Sequence, residues 1–127
     1  MRFVAAVITL SALLLILAAN GGAKANGTTR LTGTVGPGYT ITLKSATKAV
    51  KTLVPSKYTF VINDRSDIHN FHLVGPGVNK KTTVAFTGTT RWTLTLRAGT
   101  YTYLCDPHAT ALMGGQAMRG QFVVRAS

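Results

Sequence analysis

The sequence predicts an all-β fold, a Greek-key antiparallel β-sandwich of seven to eight strands, and three observations lead there. Apolar and polar residues alternate at period two through most of the chain beyond residue 26, as in Tyr39, Ile41 and Leu43 against Thr40, Thr42 and Lys44. Gly-Pro punctuation recurs at Gly36-Pro-Gly38 and Gly75-Pro-Gly77, where a ladder cannot continue. No window after the N-terminal segment carries an apolar stripe at helical spacing. Short alternating strands separated by breakers in a chain of this size pack as two sheets face to face.

The first 25 residues stand apart. Met1-Arg2 precedes an uncharged run from Phe3 to Ala23 with its apolar heart at Leu13-Leu-Leu-Ile-Leu17, and Ala23-Lys24-Ala25 has the small-x-small form of a signal-peptidase site. A signal peptide over 1–25, cleaved before Asn26, is the expectation, which makes the protein exported (extracellular, periplasmic or cell-envelope). An uncleaved membrane anchor is the alternative, since the run just reaches a tilted spanning length. Residues 26–127 then form one domain, too short for two cores.

Within that domain Gly27–Lys44 reads as two strands around Gly36-Pro-Gly38, and Ala49–Val54 as a third extended stretch ending at Pro55-Ser56. Tyr58, Phe60 and Ile62 alternate before the polar Asn63-Asp-Arg-Ser-Asp67 loop, whose aspartates suit turn capping. Ile68–Val74 reads as a strand carrying two histidines, and Val84-Ala-Phe86 as a short strand in a polar loop. Trp92, Leu94 and Leu96 alternate again. After Ala98-Gly99, Tyr101, Tyr103 and Cys105 share a strand face, and Gln121–Val124 closes the chain. Leu53–Phe60 and Leu96–Tyr103 echo one another, which reads as the same corner made twice.

The chemistry gathers at Tyr101-Thr-Tyr-Leu-Cys105-Asp-Pro-His108. A lone cysteine in an exported chain cannot form an internal disulfide, so it bridges between chains, reacts or ligates. Thiolate, imidazole and a thioether from Met113 or Met118 make a soft N/S donor set suited to copper and, less selectively, zinc. The second imidazole comes from His69 or His72. Three residues apart on an extended strand, these point to opposite faces, so one of them reaches the metal.

Tyr-x-Cys-x-x-His, the upstream His69-Asn70 pair and a Met-x-Gly run into the last strand together resemble the cupredoxins, the small blue-copper proteins, with the plastocyanin spacing in Cys105-Asp-Pro-His108. The resemblance implies one type 1 copper held by His69, Cys105, His108 and a methionine. It also implies that Asn70 hydrogen-bonds the cysteine loop near Asp106. His72 is the alternate strand histidine. Met113 reproduces the plastocyanin spacing from His108, but it runs into a Gly-Gly loop; Met118 stands at a strand start, which fixes a backbone better. Met118 is favoured and Met113 is the alternate.

Setting aside Arg2 and Lys24 leaves 12 basic residues against three aspartates, about +9, with no glutamate. The cations are scattered, with only Lys80 and Lys81 adjacent, and export argues against nucleic acid. An acidic or anionic redox partner or envelope surface fits the charge. No paired carboxylates, phosphate cradle or His-Glu-x-x-His pattern exists, and a Cys105–His108 nucleophile would lack an orienting third group. The reading is therefore a monomeric one-electron carrier with no small-molecule substrate and no enzymatic activity, and the alternative is a copper delivery or sequestration protein of the same fold.

Overall fold

A computed structural model describes residues 27–110 and 117–127. Ten strands occur in this part of the chain: β1 (Thr29–Val35), β2 (Ile41–Ser45), β3 (Lys48–Ala49), β4 (Thr52–Leu53), β5 (Ser56–Asp64), β6 (His72–Gly75), β7 (Val78–Lys81), β8 (Gly88–Leu96), β9 (Gly99–Leu104) and β10 (Arg119–Val124). They form two five-stranded sheets, β3-β2-β1-β5-β8 and β4-β10-β9-β6-β7. A single 3₁₀ turn, Asp106–His108, follows β9. No helix among the described residues is long and apolar enough to cross a membrane. The N-terminal segment and Met113 lie outside the described residues.

The all-β sandwich is as the alternation predicts, but the sheets are mixed where an antiparallel arrangement is expected. β1 runs parallel to β5 over seven residue pairs, and β10 parallel to β4. Period-two alternation sets which face is buried and carries no information on strand direction. The inward faces supply Leu31, Val35, Leu43, Phe60 and Ile62 from one sheet and Leu73, Tyr101, Phe122 and Val124 from the other, all at most 1% exposed.

Two glycines make room for the aromatic rings of β9. Gly120 pairs with Tyr103, and a Cβ there would lie 2.3 Å from the Tyr103 ring; one on Gly75 would lie 2.2 Å from the Tyr101 ring. Each ring lies over a neighbouring backbone that has no side chain. The echoed corner is real. Tyr101 donates its hydroxyl to Arg97 O at 2.9 Å, and Tyr58 donates to Val54 O at 2.8 Å, the same four-residue reach back in both segments. The tyrosine hydroxyl thereby satisfies a carbonyl at the turn while its ring fills the core.

Three local expectations change, two of them because the chain changes sheets. Ala49–Val54 is not one strand: β3 belongs to the first sheet and β4 to the second. Between them Val50 donates to Leu43 O and Lys51 accepts from Val123 N. Ile68–Val74 is extended ladder only from His72 onward, since Arg65–Phe71 carries the chain from β5 in one sheet to β6 in the other. Val84-Ala85 forms a turn, and the strand in that region is β7, paired to β6 across Pro76-Gly77.

Candidate metal centre

One crossing between the sheets and one connection within the second sheet deliver polar side chains to a common point near one end of the sandwich. His69 comes from the β5–β6 crossing; Cys105 and His108 come from the β9–β10 connection. One donor atom from each of the three lies within 4.8 Å of the others. Cys105 Sγ is 3.7 Å from His69 Nδ1 and 3.5 Å from His108 Nδ1, and the two Nδ1 atoms are 3.0 Å apart. His69 and Cys105 are fully buried, whereas His108 is partly exposed.

The backbone explains the convergence. Asp106-Pro107-His108 turns the chain at once after β9, with His108 N donating to Cys105 O at 3.0 Å. Pro107 suits the first turn of such a helix because no N–H is needed there. Met118 is held on both sides: its N donates to His108 O at 2.8 Å, and its O accepts from Cys105 N at 3.0 Å. It is 1% exposed. The strand start does fix the backbone of Met118.

Asn70 braces the β5–β6 crossing against the β9–β10 connection. Its Nδ2 donates to Asp106 Oδ2 at 2.9 Å and to Thr82 O at 3.1 Å, its Oδ1 accepts from Asp106 N at 2.7 Å, and its backbone N donates to Cys105 Sγ at 3.4 Å. The contact with Asp106 that the resemblance implies is therefore present. Thr82 extends the brace, accepting from Phe71 N at 2.9 Å and donating to the buried Asp64 at 3.1 Å. Asp64 also accepts from Ser66 N at 3.3 Å, the turn cap expected of it.

His72 does not reach the cluster. Its Nδ1 is 2.6 Å from Asp106 Oδ1 and its Nε2 2.6 Å from Asn79 Oδ1. Both ring nitrogens of this alternate strand histidine are thus engaged away from the cluster. The premise of the alternation argument fails, because His69 precedes β6; the choice of His69 rests on its Asn70 neighbour and the resemblance.

Sequence reasoning missed Tyr39. It is 62% exposed yet stands edge-on to both ligand-type imidazoles, with ring centroids 5.3 Å from His69 and 5.0 Å from His108. The Gly36–Thr40 loop holds it there through Gly36 N to Thr40 O and Thr40 N to Gly38 O. The available signal was only an aromatic residue beside a Gly-Pro-Gly turn, indistinguishable from an ordinary strand residue.

Electrostatics favour a cation at the convergence point. Burial pushes the Cys105 thiol pKa up, against the backbone hydrogen bonds from Asn70 and His108, so the thiol keeps its proton in the absence of a metal. Burial, and then the neighbouring His108, lowers the His69 pKa, with Asp64 and the Gly38 backbone opposing, so the ring is held neutral. Among the described residues, His69 Nε2 is the one buried side-chain nitrogen or oxygen with no hydrogen-bond partner. Two Nδ1 lone pairs and a sulfur facing one another at these distances repel unless a proton or a metal lies between them. The donor set fits copper: neutral imidazoles, an ionisable thiol and no competing carboxylate at the point of convergence.

The comparisons with known proteins agree with this chemistry. The model for "Copper binding proteins, plastocyanin/azurin family" matches residues 32–120. The chain belongs to the plastocyanin/azurin family of copper-binding proteins. No curated protein sequence matches it. Among solved structures, the reduced rusticyanin NMR structure is similar with a TM-score of 0.50 at 22% identity, covering 77% of each chain. Rusticyanin from Thiobacillus ferrooxidans gives 0.45 at 23%, covering 76% of each. These likenesses concern the fold. As a cupredoxin, the chain has a type 1 copper as its cofactor.

Proposed function

We propose that the protein carries single electrons by cycling one type 1 copper between Cu(I) and Cu(II). His69, Cys105 and His108 would hold the metal through Nδ1, Sγ and Nδ1, with Met118 as the fourth donor. The convergence of these three donor atoms at one end of a braced sandwich is the observation that carries the reading. Copper supplies the redox couple; the protein supplies a ligand frame that does not move. Cys105 is fixed by Met118 and Asn70, His108 by the turn, and His69 by the crossing that Asn70 braces. Asn70 N–H and the low-dielectric surroundings tune the sulfur. Tyr39 covers both imidazoles and limits water. His108, the most exposed of the three side chains, is where an electron would leave for a partner.

The remaining features follow the same reading. A monomer with a cationic surface suits an acidic protein partner or an anionic envelope, and the N-terminal leader would export it. With four protein ligands the site leaves no position for a substrate, so no enzymatic activity is proposed.

Residues 26–127 titrated with Cu(II) test this directly. An intense visible thiolate-to-copper band with narrow copper hyperfine splitting is the expected result, and Met118→Leu should keep the band while raising the reduction potential. An ordinary weak cupric spectrum would point instead to copper delivery or sequestration.

A further inference from the structure

Asp106 follows Cys105 directly and gathers hydrogen bonds from three elements. It receives Asn70 Nδ2, His72 Nδ1 at 2.6 Å and Lys81 Nζ at 3.5 Å, while its own N–H is taken by Asn70 Oδ1. Of these partners only His72 carries an imidazole, the side-chain type that serves as a proton-linked switch. Its ring lies on β6 with Lys81 opposite it on β7 and Leu104 opposite it on β9, and Arg119 lies one strand further, opposite Leu104. The charged groups on its face of the sheet are thus Asp106, which favours a proton on the ring, and Lys81 on the neighbouring β7 and, further off, Arg119 on β10, which oppose it. Asn79 Oδ1 meets Nε2 while Asp106 Oδ1 meets Nδ1. Both positions are acceptors, and only a ring with two N–H groups, an imidazolium, satisfies both at once.

We propose that His72 is a positioning residue: its imidazolium, held between Asp106 and Asn79, locks the cysteine loop to the His69 crossing and couples the copper centre to a proton. This rests on the copper reading above. From the sequence His72 reads only as the alternate strand histidine for the metal, which gives it no such role. The path is short and made of hydrogen bonds: His72 to Asp106, Asp106 to Asn70, Asn70 N–H to Cys105 Sγ. Losing the His72 proton removes a positive charge beside the loop and leaves one of the two acceptors without a donor. A nearby positive charge favours the reduced site, which carries one charge fewer. Deprotonation therefore lowers the reduction potential, and by reciprocity reduction tightens proton binding at His72.

The experiment has two arms. In copper-loaded full-length protein, the reduction potential is followed from about pH 5 to 8, where a histidine titrates, for wild type, His72→Gln and His72→Lys. The potential should fall with rising pH in wild type, and this component should be absent from both variants, with the lysine variant retaining the higher value. In metal-free protein, NMR should show the Asn70 carboxamide and Asp106 amide signals moving with the His72 titration, and this movement should vanish in His72→Gln. A pH slope that survives both substitutions, a flat wild-type profile, or Asn70 and Asp106 signals indifferent to His72 would each overturn the proposal. A wild-type protein that never forms the thiolate band refutes the copper reading, and the metal-free arm then decides the lock alone.

Discussion

The two sheets divide the work unequally. The first, β3-β2-β1-β5-β8, has the long strands: β5 and β8 pair over nine residues and β1 and β5 over seven, yet none of its ladder residues is a candidate ligand. The second, β4-β10-β9-β6-β7, is built of strands of two to six residues, and the connections at its end carry His69, Cys105, His108 and Met118. Short strands leave more chain in crossings and turns, and those segments aim side chains along the sandwich axis instead of across it. The body supplies stability, and the loops at one end supply the chemistry.

The sharpest way to break this comparison is Cys105→Ser. Loss of the visible copper–thiolate band should be complete, while the metal-free fold survives, as read by circular dichroism. A variant that keeps deep colour with copper would remove Cys105 from the site. In the body the reverse holds. Phe60→Ala, in the middle of β5, should cost about 3 to 5 kcal/mol of stability in denaturant titration; what remains folded should still bind copper with an unchanged band.

Gly75→Ala lies between these cases. Its new methyl would meet the Tyr101 ring, which is pinned by its bonds to Arg97 O and Pro76 O. A destabilisation of about 1 to 3 kcal/mol is expected, as for an overpacked core, with little spectral change. Asn70→Ala should move both readouts. It leaves Thr82 O and Asp106 N unpaired, costing about 1 to 3 kcal/mol, and shifts the thiolate band because the cysteine loop loses its brace.

The smallest effect is expected from pH. Because burial raises the Cys105 pKa, copper must displace a bound proton, so apparent copper affinity should rise with pH, by at most about tenfold per unit, until the thiol ionises unaided. Calorimetric titrations at several pH values, in buffers of different ionisation enthalpy, would count the released protons. The Asp106 carboxyl behaves oppositely. Burial pushes its pKa up, but the bonds from His72 and Asn70 and the charges of His72 and Lys81 outweigh that and hold it below the usual range. The stability it contributes is present above about pH 4, the unfolded carboxylate value, and is lost as pH falls through the lower folded one.

The sequence by itself determined the composition of the site and the character of the core. Cys105 is the only thiol, its distance to His108 is set by two intervening residues, and Pro107 commits that stretch to a turn; all of this is local. Alternation likewise assigned Tyr58, Phe60, Trp92, Tyr101 and Tyr103 to the interior, and the echoed segments did become matching tyrosine corners. Strand direction and the sheet crossings at Val50-Lys51 and Arg65–Phe71 needed the tertiary structure. They depend on hydrogen bonds between segments tens of residues apart, such as Asn70 to Asp106 and Met118 to both Cys105 and His108. Tyr39 shows the limit most clearly: its ring meets His69 and His108 only because the β1–β2 turn, the β5–β6 crossing and the β9–β10 connection end at the same pole of the sandwich, a coincidence in space that has no counterpart along the chain.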